Sequence, residues 1–164
     1  MPAKRTVILV ILLTVLTFFP ALAQDREELY GIEPGWRAGP IVFAMTMEQV
    51  QGIYGDGKIY INPGGDSGVV SRVLQYEELG LEIYFKGQSM EEIHISYPYY
   101  TVKGFVKVGS GVDRVREIMG LSYIQENYQH SYQTDLPDMR MIYRGIIFEV
   151  KNNRVVRIIL RRSR

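Results

Sequence analysis

Sliding the chain along itself superimposes residues 38 to 96 on residues 103 to 161 without a gap. Identical pairs include Gly39/Gly104, Val50/Val115, Ile53/Ile118, Gly55/Gly120, Ile59/Ile124, Gly80/Gly145, Lys86/Lys151 and Ile93/Ile158. Apolar positions coincide as well: Ile41/Val106, Phe43/Val108, Met47/Val112, Leu81/Ile146, Ile83/Phe148, Phe85/Val150 and Ile95/Leu160. Self-similarity at a fixed period predicts two copies of one supersecondary unit, neither able to bury its apolar face alone.

Each copy opens with a short extended piece, Pro40 to Ala44 or Phe105 to Val108, followed by one amphipathic helix. Thr46-Met-Glu-Gln49 has capping-box spacing, in which the Thr hydroxyl and the Gln side chain satisfy each other's free backbone N–H groups. Met47, Val50, Ile53 and Tyr54 are assigned to the apolar face, and Gly55 to the stop. In the second copy Ser110-Gly-Val-Asp113 starts the helix, Val112, Val115, Ile118 and Met119 form its apolar face, and Gly120 ends it. The pattern then changes to period two. Leu81, Ile83 and Phe85 in one copy, and Ile146, Phe148 and Val150 in the other, alternate with the residues between them, as in strands buried on one face. Gly87-Gln88 and Asn152-Asn153 carry turn chemistry, and the return strands direct Ile93 and Ile95, or Val156, Ile158 and Leu160, to the core. Further strands are predicted at Lys58 to Asn62, Val69 to Glu77 and Asp138 to Arg144. The fold class read from this is α+β. Two tandem repeats, each a short helical segment followed by an antiparallel hairpin or three-strand unit, form one antiparallel sheet with helices on one face.

Met1 to Thr6 carries Lys4 and Arg5, Val7 to Phe19 is an apolar run broken only by Thr14 and Thr17, and Ala21-Leu-Ala23 has the form of a cleavage site. At about 13 residues the run falls short of the roughly 20 needed to span a bilayer, so it reads as a cleaved Sec-type signal peptide. No Cys stands at the cleavage point to carry lipid, which gives a periplasmic or secreted location. The organisation is therefore signal peptide 1–23, N-terminal extension 24–37, first repeat 38–100 and second repeat 101–164, the repeats making one compact domain.

The absence of Cys removes thiol chemistry and Cys-ligated metals, and two His residues, His94 and His130, leave little for a His-based metal site or triad. No cofactor and no metal are expected. Beyond residue 23 there are 17 basic and 18 acidic residues, a balance unsuited to general nucleic-acid binding. Residues 24 to 100 carry net −7 and residues 101 to 164 net +6, so the halves can attract each other. The basic tail Arg154, Arg157, Arg161, Arg162, Arg164 offers peripheral contact with anionic lipid or polymer.

The run Ala44-Met-Thr-Met-Glu-Gln-Val50 ending at Gly55, followed by Gly80-Leu-Glu-Ile-Tyr-Phe-Lys86 and Ile93-His-Ile95, resembles the SmpA/OmlA (BamE-like) outer-membrane assembly lipoproteins and the tandem-repeat β-lactamase inhibitor proteins. Both share a helix-then-three-strands module. The family motif begins with Gly, present here at Gly109 but replaced by Ala44 in the first copy. Two tandem copies are more similar to the inhibitor architecture. The resemblance implies a concave sheet face that grips a partner protein.

The sheet face opposite the helices is where such a partner would dock. Tyr60, Glu82, Tyr84, Lys86, Glu92 and His94 are its outward positions in the first copy, with Tyr97, Tyr99 and Tyr100 just beyond. Tyr combines large contact area and a polar tip with little rotamer entropy to lose, so Tyr60, Tyr84, His94, Tyr97, Tyr99 and Tyr100 are the candidate partner-binding residues. In the second copy the outward positions Ile147, Val155 and Ile159 are apolar, which suits a covered or self-associating face. Asn62 to Gly68 carries Asp66 and Ser67 as possible oxygen ligands, and Gly109-Ser110-Gly111 offers free N–H groups to an anion. A plain loop and a helix cap use the same residues. The pairs Glu77-Glu78 and Glu91-Glu92 and the lone His94 suggest a hydrolase, but neighbours on a strand point to opposite faces. No catalytic residue is assigned, and the chain is read as a non-enzymatic binding module for an envelope or secreted protein. A structural or self-associating envelope component, forming a homo-oligomer, is the second reading, and a hydrolase of envelope polymer the third.

Overall fold

The computed structural model describes residues 28–63, 71–122, 124–127 and 137–163. The segment 1–23, read as a signal peptide, and the Asp66-Ser67 segment lie outside the described residues. The fold is α+β, with mostly antiparallel sheets and few helices.

Three short strands come first, β1 (Gly31–Glu33), β2 (Arg37–Ala38) and β3 (Ile41–Val42). Helix α1 (Met47–Tyr54) leads into β4 (Lys58–Asn62), β5 (Ser71–Tyr76), β6 (Leu81–Lys86) and β7 (Ser89–Ile95). After β8 (Thr101–Val102) come helix α2 (Val112–Met119), β9 (Ile124–Asn127), β10 (Met139–Tyr143), β11 (Ile146–Lys151) and β12 (Arg154–Arg161). Eight strands form one sheet in the order β4-β5-β6-β7-β12-β11-β10-β9, with every pairing antiparallel. The last strands of the two four-strand units therefore lie side by side, Ile95 opposite Ile158, His94 opposite Ile159 and Ile93 opposite Leu160.

A second, smaller sheet in the order β3-β2-β1-β8 was not foreseen, and its β1–β8 pairing is parallel. It recruits residues assigned to an N-terminal extension: Ile32 joins Ala38, the first residue of the first repeat, in the core, too few positions to show a period. Thr101–Val102, rather than Phe105 to Val108, supplies the strand of the second half, because a tight turn at Lys103-Gly104 folds Val106 back onto Val102.

Both helices lay one face on the large sheet. Met47 and Val50 of α1 and Val112 and Val115 of α2 join one core with Leu81, Ile83, Phe85, Ile93, Ile95, Ile146, Phe148, Ile158 and Leu160. Ile53 does not follow: it is 42% exposed, since its place in the helix lies about 100° off the Met47–Val50–Tyr54 face. The capping box forms, Thr46 Oγ1 accepting from the Gln49 N–H and Gln49 Oε1 from the Thr46 N–H. The second helix has no such box. Gly111 is its N-cap, and the Ser110 hydroxyl instead accepts from the Lys107 N–H.

Two further corrections come from β-bulges. Between Tyr84/Phe85 and Glu92/Met90, and between Glu149/Val150 and Arg157/Val155, each return strand carries one extra residue, Glu91 and Val156. An extra residue inverts the alternation beyond it. Val155 thus joins the core instead of the outer face, and Val156 is 40% exposed instead of buried. Both Asn152 and Asn153 are left-handed, at φ 51° and 60°, the geometry a two-residue hairpin needs to match strand twist.

The β1–β2 turn is fastened to the large sheet at Gly145. Its carbonyl accepts from the Gly35 N–H at 3.1 Å, its φ is +76°, and a Cβ there would lie 2.6 Å from Gly35 N. Gly145→Ala, which adds left-handed strain to a backbone clash, is expected to cost about 2–3 kcal/mol. Chemical denaturation reads the loss, which should come with faster amide exchange at Gly35.

Candidate functional site

The outer face of the large sheet, away from both helices, carries three carboxylates, each engaged by neighbouring donors. Glu82 on β6 accepts from the Tyr60 hydroxyl of β4 at 3.3 Å, from the Tyr84 hydroxyl at 3.2 Å and from Gln75 Nε2 of β5 at 3.2 Å. Glu92 on β7 faces His94 Nε2 at 2.8 Å and accepts from Arg161 Nε of β12 at 2.9 Å. Glu149 on β11 accepts from Arg140 Nε and Nη2 at 2.9 and 2.6 Å and from Arg157 Nη1 at 3.4 Å. Register explains the grouping: Tyr60, Val73, Tyr84 and Glu92 stand in one cross-strand row, and Gln75, Glu82, His94 and Ile159 in the next.

These contacts fix the aromatic rings. His94 lies against Tyr84 with ring centroids 4.3 Å apart, and Glu92 holds its Nε2. Its other ring nitrogen, Nδ1, is buried with no hydrogen-bond partner among the described residues. Burial, then the charge of Glu82, pushes the Tyr84 phenol well above its ordinary value, and the same two causes raise Tyr60. Both phenols therefore stay protonated donors at neutral pH. Burial works against the Glu92 charge, but the His94 hydrogen bond and the Arg161 guanidinium outweigh it and hold the carboxyl below the usual range.

The six candidate residues do not form one surface. Tyr60, Tyr84 and His94 share the outer face. Tyr97 and Tyr99, 43% and 54% exposed, belong to a separate cluster after β7 in which Tyr99 also meets Tyr30. Tyr100 is a core residue, its hydroxyl bonded to that of Tyr54 on α1, and it offers nothing to a partner. The segment after β7 has no period to reveal the inward turn. In the second half Ile147 and Ile159 do point outward but are only 3% exposed, and Val155 is in the core. The apolar positions that suggested self-association are therefore not available on this face.

Sequence reasoning missed the Glu149 cluster. Its side chain is only 5% exposed, between arginines drawn from strands on either side of β11. A charged residue within an apolar strand, Ile-Ile-Phe-Glu-Val, was the available signal, since such a charge needs partners. Glu82, Glu92 and Glu149 are each taken up as acceptors by their neighbours.

Glu149→Gln should cost about 1–2 kcal/mol, measured by denaturation, because both arginines remain partly solvated after the charge is lost. Folded Glu92 keeps its charge where the unfolded chain takes up a proton. Its stabilisation is thus complete above the ordinary glutamate value near pH ~4.3 and is lost as pH falls through the lower folded value. The fall in Tm between about pH 5 and pH 3 should be shallower in Glu92→Gln than in the parent.

No family model and no curated protein matches the chain. Among solved structures it is similar to the uncharacterized protein yfeY from Escherichia coli, with a TM-score of 0.51 and 12% sequence identity over 81% of this chain and 99% of that one. At that identity the likeness speaks for the fold alone.

Proposed function

We propose that the chain is an exported, non-enzymatic module that binds an envelope or secreted protein through the outer face of β4 to β7. The observation that carries this reading is the set of rings on that face, Tyr60, Tyr84 and His94, held in place by Glu82 and Glu92 with no helix over them among the described residues. Rings already fixed lose little entropy on docking, and the phenol oxygens of Tyr60 and Tyr84, which donate their own protons to Glu82, keep lone pairs to accept from a partner. Export rests on the charged, apolar and Ala-x-Ala order of the first 23 residues.

The module is read as a tandem duplication, and three features support it. In the central seam Ile93 faces Leu160, the counterpart of Ile95, while Ile95 faces Ile158, the counterpart of Ile93, so the His94–Ile159 pair sits on a local two-fold. The bulged residues, Glu91 and Val156, occupy equivalent positions in the two copies. So do the helix starts, Met47 and Val112, and the helix ends at Gly55 and Gly120. On this reading the module follows the tandem plan of the β-lactamase inhibitor proteins, which its residues resemble.

Affinity capture from an envelope extract tests the reading. With Tyr60→Ala, Tyr84→Ala and His94→Ala combined, capture of a stoichiometric partner should drop at least about tenfold, since buried aromatic anchors each contribute about 1–2 kcal/mol or more. Tyr97→Ala with Tyr99→Ala should leave capture intact. Equal thermal midpoints are required of all three proteins. Undiminished capture by the triple variant sinks the proposal.

A further inference from the structure

An edge strand is ordinarily blunted by a bulge, a proline, an inward charge or extreme shortness, because its free backbone groups template pairing with another chain. Strand β4 ends the large sheet, and among the described residues no strand pairs with its outer edge. From Ile59 to Ile61 it carries none of these devices, and its one charged residue, Lys58, stands at the end of the strand beside Glu77. All five residues are in continuous register with β5, from Lys58 opposite Gln75 to Asn62 opposite Ser71. Ile59 and Ile61 project on the helix side of the sheet, in line with core residue Leu74 and with Arg72, yet remain 50% and 67% exposed. Ile61 is among the most exposed large apolar side chains of the described residues.

The strand is self-complementary. Turned through a two-fold at Tyr60, Ile59-Tyr60-Ile61 meets a second Ile61-Tyr60-Ile59: each Ile59 faces an Ile61, the two Tyr60 rings face each other, and Lys58 stands opposite Asn62 without a clash of like charge. The molecule already joins the two four-strand units of its large sheet in this manner. At its centre Ile93-His94-Ile95 of β7 pairs antiparallel with Ile158-Ile159-Leu160 of β12, aliphatic residues on the core side flanking one outer-face residue at the local two-fold. We infer that β4 is a homodimer edge: a second copy of this chain adds its own β4 antiparallel with Tyr60 opposite Tyr60, extending the eight-stranded sheet across a two-fold and covering Ile59 and Ile61.

The chain contains no Cys, so single cysteines report the register directly. The full chain, expressed from its first codon and purified as the cell leaves it, is mildly oxidised as Tyr60→Cys, as Ile59→Cys, as Ile61→Cys and as an equal mixture of the last two. Directly opposed residues lie within disulfide range, whereas residues offset by two positions lie beyond it. Tyr60→Cys or the mixture should link at least about tenfold faster than Ile59→Cys or Ile61→Cys alone, because pairing raises the local thiol concentration far above that of chance collision. Ile61→Lys placed in the Tyr60→Cys chain should remove that advantage while leaving unchanged the thermal midpoint measured at a dilution where the parent is monomeric, since the side chain is two-thirds exposed in the single chain. Register-matched cysteines linking no faster than mismatched ones would overturn the inference, as would linking that survives Ile61→Lys. Partner capture through Tyr84 and His94 is read separately, since Ile61→Lys leaves both in place.

Discussion

Everything in this molecule depends on the seam between β7 and β12. Ile93 and Ile95 from one side, and Ile158 and Leu160 from the other, are fully buried on its core side. At roughly 2 kcal/mol for each buried aliphatic side chain, these four account for about 8 kcal/mol of burial, comparable with the net stability of a whole domain. Without the seam each half is a four-strand sheet with one apolar edge open and one short helix, two turns in length and unable to hold itself. The small sheet adds a second tie, since β1 from the start of the chain lies parallel to β8 at the junction of the two halves.

On the outer side the same seam divides two unlike surfaces. Toward β4 the positions are Tyr60, Glu82, Tyr84 and His94, polar groups bonded to one another. Toward β9 they are Ile159 and Ile147, largely covered, with Glu149 clamped between Arg140 and Arg157. Two units of like plan therefore carry one ringed, hydrogen-bonding half and one packed, ion-paired half. Such a difference is available on a face that bears no helix among the described residues, because outward substitutions leave the core volume untouched.

Much of the framework was legible in the residues. Period-two runs at Leu81 to Lys86 and Ile146 to Lys151 matched their strands, and Thr46 with Gln49 marked a helix start that forms in full. Failures have local physical causes. A bulge adds one residue without any compositional mark, which exchanged the faces of Val155 and Val156. Strands of two residues, such as β2, β3 and β8, are too short for any period. The Tyr run before β8 looked like one surface because sequence adjacency says nothing of direction: Tyr99 is exposed and its neighbour Tyr100 is buried. The Glu149 clamp was hidden because its arginines come from strands that become neighbours only in the folded sheet.

The position of the seam also sets how far apart its two strands are made during synthesis. β7 ends at Ile95, but its partner β12 begins only at Arg154, so β8, α2 and β9 to β11 must all follow before the central pairing can close. Long-range antiparallel closure is slow, and through that interval the first unit presents β7 as a bare apolar edge open to aggregation. The bulge at Glu91 and the carboxylate of Glu92 lie on that strand, where a twist and a charge are the means by which an exposed edge resists the wrong partner. Once β12 arrives, Arg161 neutralises Glu92, and a guard of the nascent chain becomes a fastening of the finished one.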